Sequence, residues 1–316
     1  MKEINPKKKI FFKNIKTHFS VFKVSSKGKL RRFKETTFFK KMTASGVSLL
    51  LPYFFLMFLL ILAPLFIILL YSVINPTNDV LIFDFTKKNF VDFFYEQSFL
   101  NSLGRSLLYA LVATFFAVLI GYPVAYWMAF CKSRIVAKNI WILISLPIWI
   151  NMLVKVIGLK TLFDLVAQIT NTNSLLGTPI ALVIGMIYMF IPFVIIPIFN
   201  SLDKMDRSLI EASKDLGANS YQTFWKITFR YSMPGITTGI ILMLLQAATS
   251  LIVVKYIGQN KITLIPSIIE SYFFQGANFG LAAAISVFLG FIILLIVVFL
   301  RLIGRKAAGK VGKNGD

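Results

Sequence analysis

Six apolar runs without a charged residue follow one another along the chain. A helix needs about 20 mainly apolar residues to cross the hydrocarbon core of a bilayer, and five of these runs are longer than that. The third run is shorter, but it reaches the required length if Lys155 extends its ammonium group to the membrane surface. The pattern predicts an all-α integral membrane protein with six transmembrane helices, in residues 42–78, 106–131, 139–154, 165–202, 231–254 and 271–300.

Prolines lie inside several of these runs. A proline removes a backbone hydrogen bond, and a membrane helix tolerates this where neighbouring helices satisfy the freed carbonyl groups. We therefore expect a packed bundle rather than separate spans. The prolines are Pro52, Pro64, Pro123, Pro147, Pro192 and Pro197.

The most polar stretch between two apolar runs covers residues 206–236. Its apolar residues recur at helical spacing, first at Leu209, Ile210 and Leu216 and then from Tyr221 onwards. A connection between two spans needs only a few residues, so a stretch of this length predicts a folded element. We expect two short helices that form a docking surface. Their predicted ends, in chain order, are Asp206 or else Ser208 with Glu211 as a capping box, then Gly217, then Ser220, and finally Pro234-Gly235.

Basic residues are concentrated on one side of the predicted spans. Of the 34 Lys and Arg residues, 27 lie in the first 46 residues, the connection after the second run, the loop over 203–234 that contains most of the polar stretch, and the C-terminal end. Such residues are retained on the cytoplasmic side of a membrane, so both termini and the polar stretch are predicted to be cytoplasmic. The net charge of +21 is therefore interpreted as a topology signal, with anionic lipid rather than nucleic acid as the partner of the N-terminal tail.

The composition also excludes several kinds of chemistry. Cys131 is the only cysteine and His18 the only histidine, so an intramolecular disulfide is impossible and a His-based metal site or relay is not expected. Neither Gly28-Lys29 nor Gly309-Lys310 belongs to a Walker A motif, which requires a preceding glycine and a following Ser or Thr. We expect no catalytic residue, cofactor or metal in this chain. Any ATP must bind another subunit.

The polar stretch also resembles a known family. Glu211-Ala212-Ser213, Gly217, Ile227 and Met233-Pro234 are similar to the EAA loop of ABC-importer permeases, with Ser213 in place of the second Ala and Met233 in place of Leu. In that family the first helix of the loop docks on the ATP-hydrolysing subunit and transmits its closure to the membrane spans. The resemblance implies that the docking and coupling residues are Leu209, Ile210, Glu211, Ala212, Ser213, Asp215, Leu216 and Gly217.

Further motifs extend the resemblance over residues 49–302, and the spermidine/putrescine (PotB-type) branch fits best. They implicate Trp149 and Asn151, beside the Pro147 kink, in the translocation path, since polyamine ammonium groups are attracted to aromatic faces and amide oxygens. The motifs are Gly121-Tyr122-Pro123-Val124-Ala125-Tyr126, then residues 146–155, 188–193, 201–206 and 278–284.

The resemblance implies a type I ABC-importer permease fold and a set of partners. These are a homologous second permease, a dimer of ATPase subunits that holds ATP and Mg²⁺, and an extracytoplasmic substrate-binding protein. The domain organisation is then a basic cytoplasmic tail (1–46), a permease domain (47–303) with the coupling loop at 203–234, and a basic cytoplasmic C-terminal tail (304–316). Two alternatives remain: another cargo, such as ferric iron, sulfate or phosphonate, and a membrane assembly or interaction protein that docks through the same loop.

Acidic residues show the opposite distribution to the basic ones. Six of the thirteen fall in the predicted outer connections, where solvation of a loop explains each one singly. As a set they would concentrate a polycation arriving from outside. These residues are Asp79, Asp84, Asp92, Glu96, Asp164 and Glu270.

Overall fold

The computed structural model describes residues 47–76, 83–85, 88–95, 97–275 and 278–312. These residues are helical except for loops and one short antiparallel pair, β1 (Ile74–Pro76) with β2 (Phe83–Phe85), which confirms the predicted all-α class. The helices are α1 (Val47–Val73), α2 (Lys88–Tyr95), α3 (Gln97–Phe130), α4 (Arg134–Trp149), α5 (Met152–Thr170), α6 (Pro179–Phe190), α7 (Pro192–Asp203), α8 (Ser208–Asp215), α9 (Ser220–Thr249), α10 (Leu251–Ile257), α11 (Ile265–Phe274) and α12 (Phe279–Gly312).

The helices account for the predicted number of membrane spans. Within the described residues, α1, α3, α9 and α12 are each long and apolar enough to cross a membrane alone. The pairs α4–α5 and α6–α7 meet the same criterion only when taken together, with bends of 99° and 45° between their members. The number reaches the predicted six when each bent pair is counted as one span.

The first bend corrects the predicted limits of the third and fourth spans. The backbone of Ile150 is extended, and Asn151 begins α5 by accepting a hydrogen bond from the Leu153 backbone N–H at 2.8 Å. The third span is therefore not one continuous helix over 139–154, and the chain turns after Trp149 rather than at Pro147. The fourth span also begins later than predicted, because α5 extends past residue 165 and the next helix starts only at Pro179.

The centre of the bundle is formed by α3, α7 and α9, which pack on one another, while α12 lies against α9. Glycines allow the backbones of α7 and α9 to approach closely. A Cβ atom at Gly235 would lie 2.6 Å from the carbonyl oxygen of Pro197, and one at Gly239 would lie 3.2 Å from the Cα of Val194. Glycines four residues apart on one helix are a common means of close helix contact in membranes.

The chain separates into two compact units at Ile67 and Ile68. In the first unit, the described residues are the greater part of α1, an apolar helix that contains Pro52 and Pro64. In the second unit, Asn89 of α2 donates hydrogen bonds to the carbonyl oxygens of Ser72 (3.2 Å) and Ile74 (3.3 Å).

Three of the segments predicted to be cytoplasmic lie at one end of the second unit, which we call the loop end. The Arg207 guanidinium donates to the carbonyl oxygen of Ala129, so the chain before α8 lies beside the end of α3. Gly304 of α12 lies against Thr237, near the loop end of α9. The predicted N-terminal tail (1–46) lies outside the described residues, and α12 continues through the predicted domain boundary at residue 304.

Candidate coupling loop and translocation path

The first helix of the predicted docking surface is α8, and an aspartate fixes its start. The Oδ1 atom of Asp206 accepts a hydrogen bond from the Ser208 backbone N–H at 3.0 Å, so Asp206, two residues before the first residue of the helix, supplies the side-chain hydrogen bond at its start. This backbone hydrogen bond, with a further one from the Ser208 side chain, lowers the pKa of the Asp206 carboxyl group. The carboxylate therefore stays charged at a helix N-terminus, where the helix dipole favours negative charge.

The end of α8 is the glycine turn that the sequence predicts. Gly217 has a φ of 81°, the left-handed conformation that favours glycine. The N–H of Gly217 donates to the carbonyl of Lys214 at 2.8 Å, and the N–H of Ala218 donates to that of Ser213 at 3.0 Å. This pair of hydrogen bonds is a Schellman motif, which fixes the direction in which the chain leaves the helix.

A buried hydroxyl pair joins α8 to the next helix. Ser213 is buried, and its Oγ lies 2.9 Å from the Oγ1 of Thr223, which is also buried. The Ser213 hydroxyl donates to the Ile210 carbonyl at 2.8 Å, so Thr223 supplies the hydrogen between the two side chains. The serine that replaces the family's second alanine therefore has a specific partner within the loop.

The other predicted docking residues lie mostly at the surface of α8. Leu209 is 44% exposed and Leu216, just after the helix, is 88% exposed. The remaining members are exposed too, apart from the half-buried Ile210; they are Glu211, Ala212, Asp215 and Gly217. An apolar side chain as exposed as Leu216, beside charged groups, suits contact with another protein.

The second predicted helix is the first part of a membrane span rather than a separate short helix. Asn219 caps it in a capping box with Gln222 (2.8 and 3.3 Å), so the predicted cap at Ser220 is wrong. The helix does not end at Pro234-Gly235, because α9 continues to Thr249. A proline inside a membrane helix is tolerated when the helix is packed, and Gly235 lies directly against α7.

A cluster of aromatic rings connects the start of α9 to α3. Residues 224–228 form a π-helical segment, a feature that often occurs at functional sites. Within it, Phe224 packs against Tyr122 and Tyr126 of α3, with ring centroids 6.0 and 5.6 Å apart. Phe229 also contacts Tyr122, at 5.6 Å, and Trp225 packs on Phe229 at 4.8 Å. We call these five residues the aromatic cluster.

A hydrogen bond reinforces the cluster. The hydroxyls of Tyr122 and Ser232 lie 3.3 Å apart, and both residues are buried. Two motifs that the sequence analysis identified separately, the one that begins at Gly121 and the EAA-like loop, therefore lie in direct contact. Neither Thr223 nor Ser232 was predicted from the sequence as a contact residue. Each is a small polar residue close to several aromatic residues in the sequence. That pattern does not indicate which distant residue it contacts.

The two residues predicted to line the translocation path lie apart from the loop. Trp149, the last residue of α4, is 86% exposed. Asn151 is exposed and caps α5, so its side chain has a local structural role. Their place in the path stays a prediction.

The six acidic residues of the predicted outer field have different surroundings. Asp79 and Glu96 lie outside the described residues, and Asp84 lies in β2. Asp92 is exposed on α2, while the Oδ1 of Asp164 accepts a hydrogen bond from Ser174 at 3.3 Å. Glu270 forms an ion pair with Lys255.

Comparison with known proteins identifies the class of membrane protein to which the chain belongs. Residues 117–309 match the family described as "Binding-protein-dependent transport system inner membrane component", and the chain belongs to this family. It is an inner-membrane permease component of a transport system, as the EAA-like loop indicates.

Two relatives show which branch of this family the chain resembles. The chain is 35% identical over 245 residues to the "Spermidine/putrescine transport system permease protein PotB" of Haemophilus influenzae, covering 71% of this chain and 82% of that protein. It is 32% identical over 231 residues to the protein of the same name from Escherichia coli K12, covering 69% and 82%. The resemblance to PotB-type permeases is therefore confirmed.

Solved structures support the fold. A chain of a bacterial ABC transporter involved in the import of the acidic polysaccharide alginate superimposes with a TM-score of 0.68, at 18% identity, covering 86% of this chain and 99% of that one. A chain of a bacterial alginate ABC transporter in complex with an alginate pentasaccharide-bound periplasmic protein gives a TM-score of 0.66 at 17% identity. The ABC-importer permease fold is thereby confirmed.

Proposed function

We propose that this chain is the membrane-spanning permease subunit of an ATP-driven importer of spermidine and putrescine. The observation that supports this cargo best is the 35% identity to a spermidine/putrescine permease over 82% of that protein's length. The fold alone does not select the cargo, because a transporter of an acidic polysaccharide shares it. The polyamine assignment therefore depends on the sequence relationship.

The proposed complex contains further subunits. A homologous second permease would complete the membrane path, and two ATPase subunits with ATP and Mg²⁺ would dock on the cytoplasmic face. An extracytoplasmic binding protein would deliver the substrate. Both termini and the loop end would be cytoplasmic, as the distribution of Lys and Arg supports. ATP would then be hydrolysed on the ATPase subunits, and this chain would not itself be an enzyme.

The contacts of the loop support a coupling route. Closure of the ATPase subunits would displace α8 through its exposed face. The Ser213–Thr223 hydrogen bond and the Gly217 turn would transmit this displacement to the start of α9. The aromatic cluster and the Tyr122–Ser232 hydrogen bond would transmit it to α3, one of the central helices. Packed interfaces of this kind change between discrete arrangements, as alternating access requires.

Radiolabelled spermidine uptake tests the proposal. The chain would be produced with its neighbouring transporter subunits in cells that lack their own polyamine importers, and each subunit would be omitted in turn. We expect saturable uptake that requires every component. Absence of uptake from a complex in which the ATPase still co-purifies would retain the permease assignment and contradict the polyamine cargo.

A further inference from the structure

A polar cleft opens between α7 and α9 at the loop end of the bundle. Its volume is about 500 Å³, and Lys204 and Arg230 lie on its wall together with Asn200. The buried Gly235 forms part of the cleft, at the point where the two helices are too close for a Cβ atom. The cleft is therefore bounded by two firmly packed helices.

The polar side chains of this cleft are available to a ligand. In the part of the chain that the structure describes, the side chains of Lys204 and Arg230 form no ion pair, and the Asn200 carboxamide forms no hydrogen bond. The nearby carboxylates of Asp203 and Asp206 do not line the cleft. Two cationic side chains thus border a concave surface that no described carboxylate lines, and such a surface favours an anionic ligand.

The wall beside these cations is held in place by hydrogen bonds. The Tyr231 hydroxyl donates to the carbonyl oxygen of Lys204 at 3.2 Å. The Ser201 hydroxyl donates to the carbonyl oxygen of Tyr231 at 3.3 Å. The backbone that bears Lys204 is therefore fixed against α9, and its ammonium group extends from a fixed point.

A second cleft, lined by both apolar and polar side chains, adjoins the polar one. Its volume is about 270 Å³, and it shares Pro234 and Thr238 with the polar cleft. Ile241 and Leu242 extend it along α9, and Arg301 of α12 lies at its side. At 1.5 Å per helical residue, Ile241 is about 16 Å further along α9 than Arg230. Lys204 and Arg230 therefore lie nearest the loop end, Ile241 and Leu242 lie further along α9, and Arg301 borders the same cleft as these two.

We propose that the two clefts together bind one anionic phospholipid of the cytoplasmic leaflet. Its phosphate would lie between Lys204 and Arg230, and an acyl chain would lie along Ile241 and Leu242. Basic pockets between helices on the cytoplasmic side are a known form of lipid site, and that leaflet is rich in anionic lipid. The inference rests on the proposed function for the cytoplasmic orientation of the loop end.

The apolar side chains of the second cleft favour a lipid over other anions. A free phosphate ion would use Lys204 and Arg230 but would leave Ile241 and Leu242 without a role. A phospholipid uses both parts, with its phosphate at the two cations and an acyl chain along Ile241 and Leu242. The bound lipid would bridge α7 and α9 beside the coupling loop, where it would stabilise the packing at Gly235.

Native mass spectrometry of the assembled transporter tests the site. The complex would be exchanged into phosphatidylglycerol or phosphatidylcholine, and the lipid that stays bound would be counted. We expect retained phosphatidylglycerol, with apparent affinity reduced about tenfold or more by Lys204→Gln with Arg230→Gln. Lys132→Gln with Arg134→Gln removes the same charge from another exposed connection at the same end and should leave retention unchanged. Leu242→Gln should weaken retention while both cations remain.

Several results would overturn the inference. Unchanged retention in the Lys204/Arg230 variant would do so, and so would an equal loss in the control variant. Displacement of the lipid by inorganic phosphate, with no effect of Leu242→Gln, would indicate a free-phosphate site. Loss of the second permease from the variant complex in neutral lipid would indicate a subunit interface.

Thermal unfolding in phosphatidylcholine checks that the variants are folded. Polyamine uptake is not a readout, so a wrong cargo would leave this result unaffected.

Discussion

The hydroxyl groups of Ser213 and Thr223 lie 2.9 Å apart in the interior of the coupling loop. They belong to the two helices that meet at the Gly217 turn, so the hydrogen bond sets how α8 lies against the start of α9. The family pattern has alanine at position 213, where no hydroxyl is available. In this chain the loop geometry is therefore maintained by a polar pair as well as by the turn.

A double-mutant cycle tests the pair. Ser213→Ala alone leaves the buried Thr223 hydroxyl without its acceptor, which should lower the free energy of unfolding by about 1–3 kcal/mol. Thr223→Val alone should cost less, because the Ser213 hydroxyl still donates to the Ile210 carbonyl. The double variant should regain much of the loss caused by Ser213→Ala, because neither hydroxyl of the pair remains. Thermal unfolding of the purified complex measures the stability of each variant. Additive losses in the double variant would show that the two hydroxyls do not interact.

Close packing of α7 on α9 gives a second prediction. A methyl group at Gly235 would meet the backbone oxygen of Pro197 at 2.6 Å, so Gly235→Ala should destabilise the permease by about 1–3 kcal/mol. Gly290 is an exposed helical glycine, and among the described residues no atom lies within 4 Å of the position that an added methyl group would take. Gly290→Ala should therefore be neutral or slightly stabilising. Unfolding temperatures of the two variants provide the comparison. Equal temperatures would contradict the close approach.

The sequence predicted the elements that depend on local chemistry. Gly217 has the expected positive φ, and Asp206 starts α8, because a turn glycine and a capping carboxylate act within a few residues. The break at Asn151 was missed, since it falls inside a charge-free apolar run. The continuation of α9 through Pro234 was also missed, because tertiary packing decides whether a proline ends a membrane helix.

Contacts between distant parts of the chain were harder to predict from the sequence. The motif of Tyr122 and the EAA-like loop are both recognisable in the sequence, but nothing in either motif indicates that the two are in contact. The Tyr122–Ser232 hydrogen bond joins residues 110 positions apart. The Lys255–Glu270 ion pair likewise became visible only in the structure, and it removes Glu270 from any field of uncompensated charge.

Docking of the ATPase gives a third prediction. Glu211 is exposed on α8, so Glu211→Lys should weaken association with the ATPase without unfolding the permease. A charge of the wrong sign at an interface is unfavourable and mainly affects complex formation. Co-purification of the ATPase, measured at low and moderate salt, provides the test, with Glu211→Gln as the milder control. Intact co-purification of the Lys variant would exclude Glu211 from the interface.

The outer acidic residues give a fourth prediction. Neutralising Asp79, Asp84, Asp92, Glu96, Asp164 and Glu270 together should slow cation uptake, most strongly at low ionic strength, because salt screens such a field. Of the single variants, Asp92→Asn should have a larger effect than Glu270→Gln, since Glu270 is already paired with Lys255. Initial rates of uptake at several salt concentrations measure both the deficit and its salt dependence. A deficit that does not depend on salt would leave these residues as ordinary loop residues.

The turn at Gly217 gives the prediction closest to the proposed mechanism. A side chain at its φ of 81° is strained by about 1–2 kcal/mol, and a β-branched one is the least tolerated. A Cβ atom would meet none of the described atoms within 4 Å, so the substitution changes the turn without a steric clash. Gly217→Val should therefore alter how α8 is attached while the bundle stays intact. Gly217→Asn is the matched control, because asparagine adopts this conformation more readily.

The most direct measurement is the ratio of spermidine transported to ATP hydrolysed in proteoliposomes that contain the complete transporter. We predict that Gly217→Val retains its ATPase subunits and hydrolyses ATP, but transports little spermidine, while Gly217→Asn stays close to the unaltered protein. A Gly217→Val complex with an unchanged transport ratio would contradict the claim that this loop couples ATP hydrolysis to the membrane path.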